Sequence, residues 1–493
     1  MAEAEAAPAA APAESLRKKL IRAAAQYSIG MLIAMMGSIA RVGVTARLLS
    51  EEQNGIWLGL QLLLGYAGNL HLGSLYGMFR SVPIKRARGE HADAEREKGT
   101  AFTFVLVMTV IGALALLVLA PRIASPTSPR QVGLTMALLA TNLLRMYFVT
   151  LVKSESRFKE LSTSTGVGAV ATLLGLLLVV KWRLDGLLMG MLAQQVVEVL
   201  YLASRTGIPK LAMERPILKE QLRVGLMTLL ITVGVIAVTN ADRTIMLRLC
   251  GTEATGLYYI GANVVILLPT LAAIPGAVLT PQYFERVGRG ESLLPLVERP
   301  LRTMAYFCAL TCAAGAVALP ATVKILWPHH SPGVPAAICA LFGTYPIVLA
   351  GLVSNVYYAL DRQGLHVGIL GVSAVLGYAF AAAGVMLMGG AITGAAAGAA
   401  VALFLYYAAS TIGSLRLAGG TAPEAARLAL ETLGPAVWAA AMVAIVRVVF
   451  GADWLAGSLK VGALATGLVT IAFVPLVPRA VRAFRGTSAA GVT

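Results

Sequence analysis

Apolar residues occur in long continuous runs, separated by short polar segments, from residue 24 to residue 477. A helix that crosses a membrane needs about 20 mainly apolar residues. Outer-membrane barrels would instead alternate apolar and polar residues over short segments. The runs therefore predict an all-α polytopic membrane protein with about 14 transmembrane helices, at 24–49, 56–79, 100–120, 131–152, 162–180, 186–203, 224–248, 257–280, 303–326, 333–358, 367–388, 391–413, 432–450 and 458–477.

The composition supports this prediction. Of the 493 residues, 58% are hydrophobic and only 13% are charged, and the mean hydropathy is +0.77. A soluble globular protein is roughly half apolar and about a quarter charged, and it could not bury this much apolar surface. These values exclude soluble multidomain enzymes, disordered chains and extracellular disulfide scaffolds.

Positive charge predicts the orientation in the membrane. The chain has 40 Lys and Arg against 24 Asp and Glu, a net charge of +16. Most of the Lys and Arg fall in the two tails and in every second loop, as in cytoplasmic segments, so we expect both termini in the cytoplasm. The Ala/Pro/Glu-rich tail 1–23 is predicted to be disordered, and the second tail is 479–493. This distribution explains the basic charge without a nucleic-acid partner.

A short motif occurs twice, 201 residues apart. Residues 47–57 read RLLSEEQNGIW, and residues 248–258 read RLCGTEATGLY. Each copy follows an odd-numbered span and precedes an even-numbered one. We therefore predict two six-helix lobes related by a parallel repeat, an arrangement that transporters use with the substrate between the repeats. The N-lobe is 24–213, the C-lobe is 224–417, and two further helices occupy 427–478.

The sequence shows no motif of soluble catalysis and no metal-ligand pattern. It lacks a phosphate-binding loop, an HExxH motif and a GxSxG motif. Four cysteines lie in or beside apolar runs without the other ligands of a zinc site, at Cys250, Cys308, Cys312 and Cys339. We interpret them as small apolar side chains and predict no metal and no cofactor.

Charges embedded in the predicted spans are the best candidates for function. Arg145 lies near the middle of the fourth span, Arg41 in the first, and Asp242 and Arg243 in the seventh. A charge at such a depth is costly and usually faces a cavity or a partner. One hypothesis is that arginines line a central anion-binding cavity, since the guanidinium fork fits phosphate oxygens. The alternative is a structural ion pair between Asp242 and an arginine.

Two further embedded residues can titrate. Glu198 lies toward the inner end of the sixth span, where it either takes part in ion coupling or is held by a cap or an ion pair. His71 lies in the second span near Asn69, and it is either a satisfied core histidine or part of a proton relay.

Several tracts resemble a known family. The run RLLSEEQNGIW, the segment HLGSLYGMFR at 71–80 with the basic loop after it, and NADRTIMLRLCGTEATGLY at 240–258 resemble polysaccharide-export flippases of the Wzx type. The resemblance extends over roughly residues 20 to 480 and is specific at the level of the multidrug/oligosaccharidyl-lipid/polysaccharide exporter superfamily. That superfamily also contains lipid II flippases and multidrug extruders.

The resemblance implies a multi-pass protein of the bacterial inner membrane that is a transporter and not an enzyme. Its substrate would be an undecaprenyl-pyrophosphate-linked oligosaccharide for O-antigen, capsule or exopolysaccharide, moved by alternating access among membrane lipids. A polymerase and glycosyltransferases would be its partners. The family's cationic cavity would be supplied here by Arg41, Arg145 and Arg243.

Two alternatives remain open at this point. A cation-coupled multidrug extruder of the same superfamily would need embedded carboxylates, and this chain has more embedded arginine than acid. An integral-membrane glycan polymerase or glycosyltransferase would need catalytic groups in a sizeable outer loop, and the predicted outer loops are short.

Overall fold

The computed structural model describes Gly30 and residues 33–263, 282–283 and 285–474. All regular structure in this part of the chain is helical, which confirms the all-α polytopic fold. After a first helix, α1, at 33–48, the helices in chain order are α2 (Glu51–Ala67), α3 (Ser74–Ala87), α4 (His91–Ile123), α5 (Pro129–Ser154), α6 (Phe158–Thr206), α7 (Arg215–Thr239), α8 (Ala241–Leu249), α9 (Gly251–Leu257), α10 (Leu294–Leu326), α11 (Val334–Ala359), α12 (Gln363–Leu387), α13 (Ile392–Leu417), α14 (Ala422–Leu455) and α15 (Leu459–Phe473).

Nine helical segments in the described ranges are long and apolar enough to cross a membrane. One of them, α6, has 49 residues and joins the predicted spans 162–180 and 186–203 across a kink at Arg183. Two predicted segments, the tails 1–23 and 479–493, lie outside the described residues, as does most of the predicted span 257–280.

Two predicted spans are interrupted. The span 56–79 consists of α2 and α3, joined by a turn in which Leu72 and Gly73 have φ of +48° and +91°. Such left-handed backbone favours glycine and cannot continue an α-helix. The span 224–248 is likewise divided at Asn240, between α7 and α8. The interruptions were not predicted, because each span was interpreted as one run despite the polar residues inside it, Asn69 and His71 in the first and Asn240 in the second.

The chain divides into two compact units. Unit 1 consists of the described part of Met1–Val44 with Leu70–Ala115 and Gly133–Gly225. Unit 2 consists of Thr45–Asn69, Leu116–Val132 and the described part of Leu226–Thr493.

Unit 1 contains a buried ion-pair network beside the loops predicted to be cytoplasmic. The Glu155 carboxylate lies 2.8 Å from Lys98 Nζ and 3.2 Å from Arg86 Nη2. Glu97 lies 2.9 Å from Lys85 Nζ and accepts a hydrogen bond from Gln221 at 2.6 Å. Glu155 directly follows α5 and Glu97 lies on α4, and their partners come from α3, α4 and α7. These carboxylates therefore fix the ends of several helices together.

Unit 2 contains both copies of the repeated motif, and they touch through equivalent positions. A methyl group added at Gly55 would lie 1.8 Å from the carbonyl oxygen of Thr252. One added at Gly256 would lie 1.7 Å from the carbonyl oxygen of Glu51. The 201-residue offset relates Glu51 to Thr252 and Gly55 to Gly256, so the contact is reciprocal. Only glycine permits backbones to approach this closely.

The rest of unit 2 is a helix bundle with an apolar core from α10 to α15. Cys308 and Cys312 are fully buried in that core, as their interpretation as small apolar side chains predicts. Helices α12 and α13 meet closely through Gly384 and Gly394, where an added methyl would lie 2.1 Å from the facing carbonyl oxygen. Small residues at this seam are what permits the contact.

Candidate functional site

Arg145 is the centre of a polar cluster inside unit 1. It lies on α5, a helix with the length and hydropathy of a membrane span. Its Nη1 lies 3.4 Å from Glu198 Oε2, and its Nη2 lies 3.5 Å from Asn142 Oδ1. Its Nε has no hydrogen-bond partner among the described residues. The side chain is 35% exposed, so the guanidinium retains donors for another molecule.

Glu198 is held from two sides. The second half of α6 presents it at 7% side-chain exposure, and its Oε1 accepts a hydrogen bond of 3.0 Å from Gln194 Nε2, one turn earlier on the helix. Gly168, on the first half of α6, faces the carboxylate so closely that an added methyl would lie 2.0 Å from Oε1. The carboxylate is therefore fixed by Arg145, Gln194 and the space that Gly168 leaves.

Arg41 lies near this cluster. It is half-buried on α1 and lines a small cleft together with Gln194, Thr172 and Gly175. Gln194, which lines this cleft, also donates to Glu198, and Glu198 in turn pairs with Arg145. We call the four residues Arg41, Gln194, Glu198 and Arg145 the unit 1 track.

The unit 1 track carries two arginines and one carboxylate, which gives it a formal charge of +1. A cation inside a membrane-spanning helix is costly unless it faces a cavity or a partner. Glu198 pairs with Arg145, and the half-exposed Arg145 guanidinium retains donors beyond that pair. This arrangement suits an anion that offers several oxygens, since a guanidinium binds phosphate through paired hydrogen bonds.

Asp242 and Arg243 belong to unit 2 and face different partners. Asp242 accepts hydrogen bonds from the Tyr258 hydroxyl at 2.5 Å and from the backbone N–H of Arg243 at 2.7 Å. Arg243 is 5% exposed, and its Nη2 donates to the backbone carbonyl of Ala262. No ion pair between the two side chains occurs in the described part of the chain.

His71 lies in the turn between α2 and α3 and is fully buried. Its Nδ1 accepts a hydrogen bond of 3.1 Å from the backbone N–H of Gly73, and Tyr76 packs edge-on against the ring at 5.2 Å. The histidine therefore supports the turn that interrupts the second span. The structure places it neither with Arg145 nor with Arg41 in the unit 1 track.

The structure thus brings together three of the six predicted residues: Arg41, Arg145 and Glu198. Sequence analysis missed Gln194, which links them. The spacing of Gln194 and Glu198, four residues apart on a helix, was the available signal. Across residues 33–263 and 285–474, no group of three or more His, Cys, Asp or Glu side chains is arranged to hold a metal ion.

Comparisons with known proteins agree with this fold. Residues 44–327 match the model of the family described as polysaccharide biosynthesis protein. Among solved structures, the lipid II flippase MurJ in an inward closed conformation has a TM-score of 0.66 at 11% identity, covering 92% of this chain and 99% of that chain. An inward-facing multidrug resistance MATE family transporter of the MOP superfamily has a TM-score of 0.64 at 14% identity, covering 80% and 98%.

A MATE protein in the bent conformation has a TM-score of 0.54 at 15% identity, covering 81% of this chain and 96% of that chain. Comparison with proteins of curated function gave no match. At these identities the structural likeness establishes the fold, and the family match is the finding that bears on biological role.

Proposed function

The chain belongs to the polysaccharide biosynthesis protein family, and from this premise we propose that it is a flippase. Its substrate is an undecaprenyl-pyrophosphate-linked oligosaccharide, which it moves across the bacterial inner membrane by alternating access. The product supplies O-antigen, capsule or exopolysaccharide synthesis, with glycosyltransferases upstream and a polymerase downstream. The likeness in fold to the lipid II flippase MurJ supports a lipid-linked cargo.

The observation that carries the proposal is the half-exposed Arg145 of the unit 1 track. A lipid-linked pyrophosphate brings negative charge into the apolar part of the membrane, where it needs a fixed cation. Arg145 offers a guanidinium there, oriented by Glu198 and Asn142. We propose that Arg145 binds the pyrophosphate and that Arg41 adds positive charge to the unit 1 track. Arg243, in unit 2, is proposed separately as an anion-binding residue.

The remaining titratable residues take supporting roles in this proposal. Glu198 keeps Arg145 in place and limits the charge of the unit 1 track, so that the anion is released after transfer. Asp242 orders α8 through Tyr258, and His71 supports the turn before α3. If the transport couples to protons, Glu198 is the carboxylate on the substrate path.

A multidrug extruder is the second candidate, and one observation favours it. The buried Glu198 carboxylate is the kind of group that binds a cationic drug, and MATE transporters share the fold. Its two oxygens are already engaged by Arg145 and Gln194, and the unit 1 track is positive overall. These contacts favour an anionic cargo over a cationic one.

The proposal is tested with the purified protein in liposomes. A fluorescent disaccharide on undecaprenyl pyrophosphate should cross the bilayer with the native chain and not with Arg145→Gln. Arg145→Lys should keep part of the activity, because it retains the charge and loses the fork. Efflux of a cationic dye from the same liposomes, without movement of the glycolipid, would establish the extruder and contradict the flippase.

We also propose that both termini lie in the cytoplasm. Reporter fusions after Arg88 and after Arg215 should report the cytoplasm, and a fusion after Thr127 should report the periplasm. A periplasmic signal at either of the first two positions would overturn this topology and the assignment of inner loops that depends on it.

A further inference from the structure

Unit 2 contains a cavity that is separate from the residues discussed so far. It is bounded by α7, α11, α12 and α13 and has a volume of about 350 Å³. Small-molecule sites span about 300–1,000 Å³, so the cavity has room for a compact ligand. Most of its lining is apolar and includes Ile231, Val235 and Val348. Its polar lining residues include Asn355, His366 and Tyr406.

His366 is the residue that points to a ligand. Only 1% of it is exposed, and its Nδ1 has no hydrogen-bond partner within the described ranges. Its Nε2 lies 3.1 Å from the hydroxyl of Tyr406. Its ring stacks on that of Tyr357 at 4.9 Å and lies nearly parallel to that of Tyr406 at 6.3 Å. The ring is held rigidly, yet one polar atom of a buried side chain is unsatisfied, which is costly unless something binds there.

The tautomer of His366 determines whether Nδ1 donates or accepts a hydrogen bond. If Tyr406 donates to Nε2, then Nδ1 carries the proton and is a donor. If Nε2–H donates to Tyr406, then Nδ1 is an acceptor. A hydroxyl group both donates and accepts hydrogen bonds, so it satisfies either state. The site is therefore suited to a ligand that bears hydroxyl groups.

The uncharged lining of the cavity narrows the class of ligand further. None of the lining residues in the described part of the chain carries a formal charge, and the polar ones are hydroxyl, amide and imidazole groups. A charged ligand would lose its hydration without a counter-ion here. A sugar ring is neutral, with C–H groups on its faces and hydroxyls at its edge, which matches a mainly apolar lining with several uncharged polar groups.

We infer that this cavity binds one neutral pyranose ring of the transported glycan, with a ring hydroxyl on His366 Nδ1. This inference rests on the proposed function, since the glycan supplies the sugar. It adds a substrate-recognition site that contains no arginine. The glycan would thus be recognised by hydrogen bonds in unit 2, whereas the pyrophosphate is recognised by charge in unit 1.

Three variants and one matched control separate binding from folding. His366→Phe keeps a flat ring beside the two tyrosines and removes both nitrogens. Tyr406→Phe removes only the hydroxyl beside His366. Tyr357→Phe is its matched control, because Tyr357 also stacks on His366 but its hydroxyl donates to the Ser410 carbonyl at 2.7 Å and does not line the cavity. Val235→Phe fills the cavity from its apolar wall without touching a polar group.

Binding is measured on the full chain in nanodiscs by saturation-transfer NMR. The probes are the methyl glycosides of glucose, galactose, rhamnose and N-acetylglucosamine, with the acyclic polyol sorbitol as a control. At least one glycoside should show transfer to its ring protons. Affinity should fall about tenfold in Tyr406→Phe, should be lost in His366→Phe and Val235→Phe, and should be unchanged in Tyr357→Phe.

Several outcomes would overturn the inference: no transfer to any glycoside, equal transfer to sorbitol, or equal binding by His366→Phe. If His366→Phe fails to fold by its melting curve, Tyr406→Phe against Tyr357→Phe decides the question alone. The probes carry neither lipid nor phosphate, so the result does not depend on flipping. Glycoside binding without glycolipid transport would contradict the proposed function only, and transport without glycoside binding would contradict this inference only.

Discussion

The unit 1 track and the unit 2 cavity are two polar sites built inside apolar helices by different means. The track contains Arg41, Arg145 and Glu198 and is organised around an ion pair 3.4 Å long. The cavity is organised around His366 and Tyr406 and has no charged residue in its described lining. Under the proposed function, the track would bind the charged linkage of a lipid-linked glycan and the cavity one of its neutral sugars.

The largest effect is expected from reversing charge in the track. Arg145→Glu places a second carboxylate beside Glu198. The new carboxylate should repel the pyrophosphate that the arginine is proposed to bind. Glycolipid transport in liposomes should fall by on the order of a hundredfold or more, since each 1.4 kcal/mol of lost interaction is tenfold. Arg122→Glu, at the exposed end of α4, is the matched control and should transport normally. Equal loss in both variants would point to a general effect of negative charge.

Ionic strength should distinguish the two sites in one sample. Interactions between partly exposed charges are screened by salt, with a Debye length of about 10 Å at 0.1 M and about 3 Å at 1 M. Binding of inorganic pyrophosphate to the native chain should therefore weaken severalfold over that range, as measured by calorimetry. Binding of a methyl glycoside should change little. Parallel loss of both ligands would argue against two chemically distinct sites.

A smaller effect is expected from Gly168→Ala. The added methyl would displace the Glu198 carboxylate, whose Oε1 lies 2.0 Å from its position, and Arg145 would lose its fixed partner. Because the displaced atom is the end of a flexible side chain, the protein should fold and transport should fall only a fewfold. Gly166→Ala is the control on the same helix, since nothing lies within 4 Å of its added methyl. A normal rate with Gly168→Ala would show that the position of Glu198 is unimportant.

The affinity for a methyl glycoside should be unchanged in Gly168→Ala. This result would show that the unit 1 track and the unit 2 cavity bind their ligands independently. The glycine and the carboxylate belong to unit 1, whereas every described residue of the cavity lining belongs to unit 2. A matched loss of glycoside affinity in this variant would mean that the track and the cavity act as a single site.

The sequence predicted the track better than the cavity, for a physical reason. A charged residue in an apolar run is conspicuous, because burial of charge is costly, so Arg41, Arg145 and Glu198 were found without a structure. His366 and Tyr406 carry no formal charge that would mark them in an apolar run. Their significance comes from an unsatisfied nitrogen and a cavity, and both depend on the packing of four helices.

The fold shows the same division between what the pattern specifies and what packing decides. The long apolar runs predicted membrane-spanning helices, and the structure confirms a helical fold. The turn at Gly73 and the break at Asn240 were not predicted, because one or two polar residues in a long apolar run do not by themselves show where a helix ends. The repeat was visible in the sequence, but the reciprocal contact of Gly55 and Gly256 was not, since it depends on how two backbones approach each other.

A double-mutant cycle on Arg145 and Glu198 tests the central claim, that Arg145 binds the pyrophosphate, most directly. Arg145→Gln leaves the buried Glu198 unpaired and should lower both thermal stability and transport. Adding Glu198→Gln removes the unpaired charge, and the two amides can hydrogen-bond, so stability should return. The account predicts that glycolipid transport and pyrophosphate binding stay lost in the restored double variant. Recovery of native transport in that variant would contradict it, because Arg145 would then be only the counter-ion of Glu198.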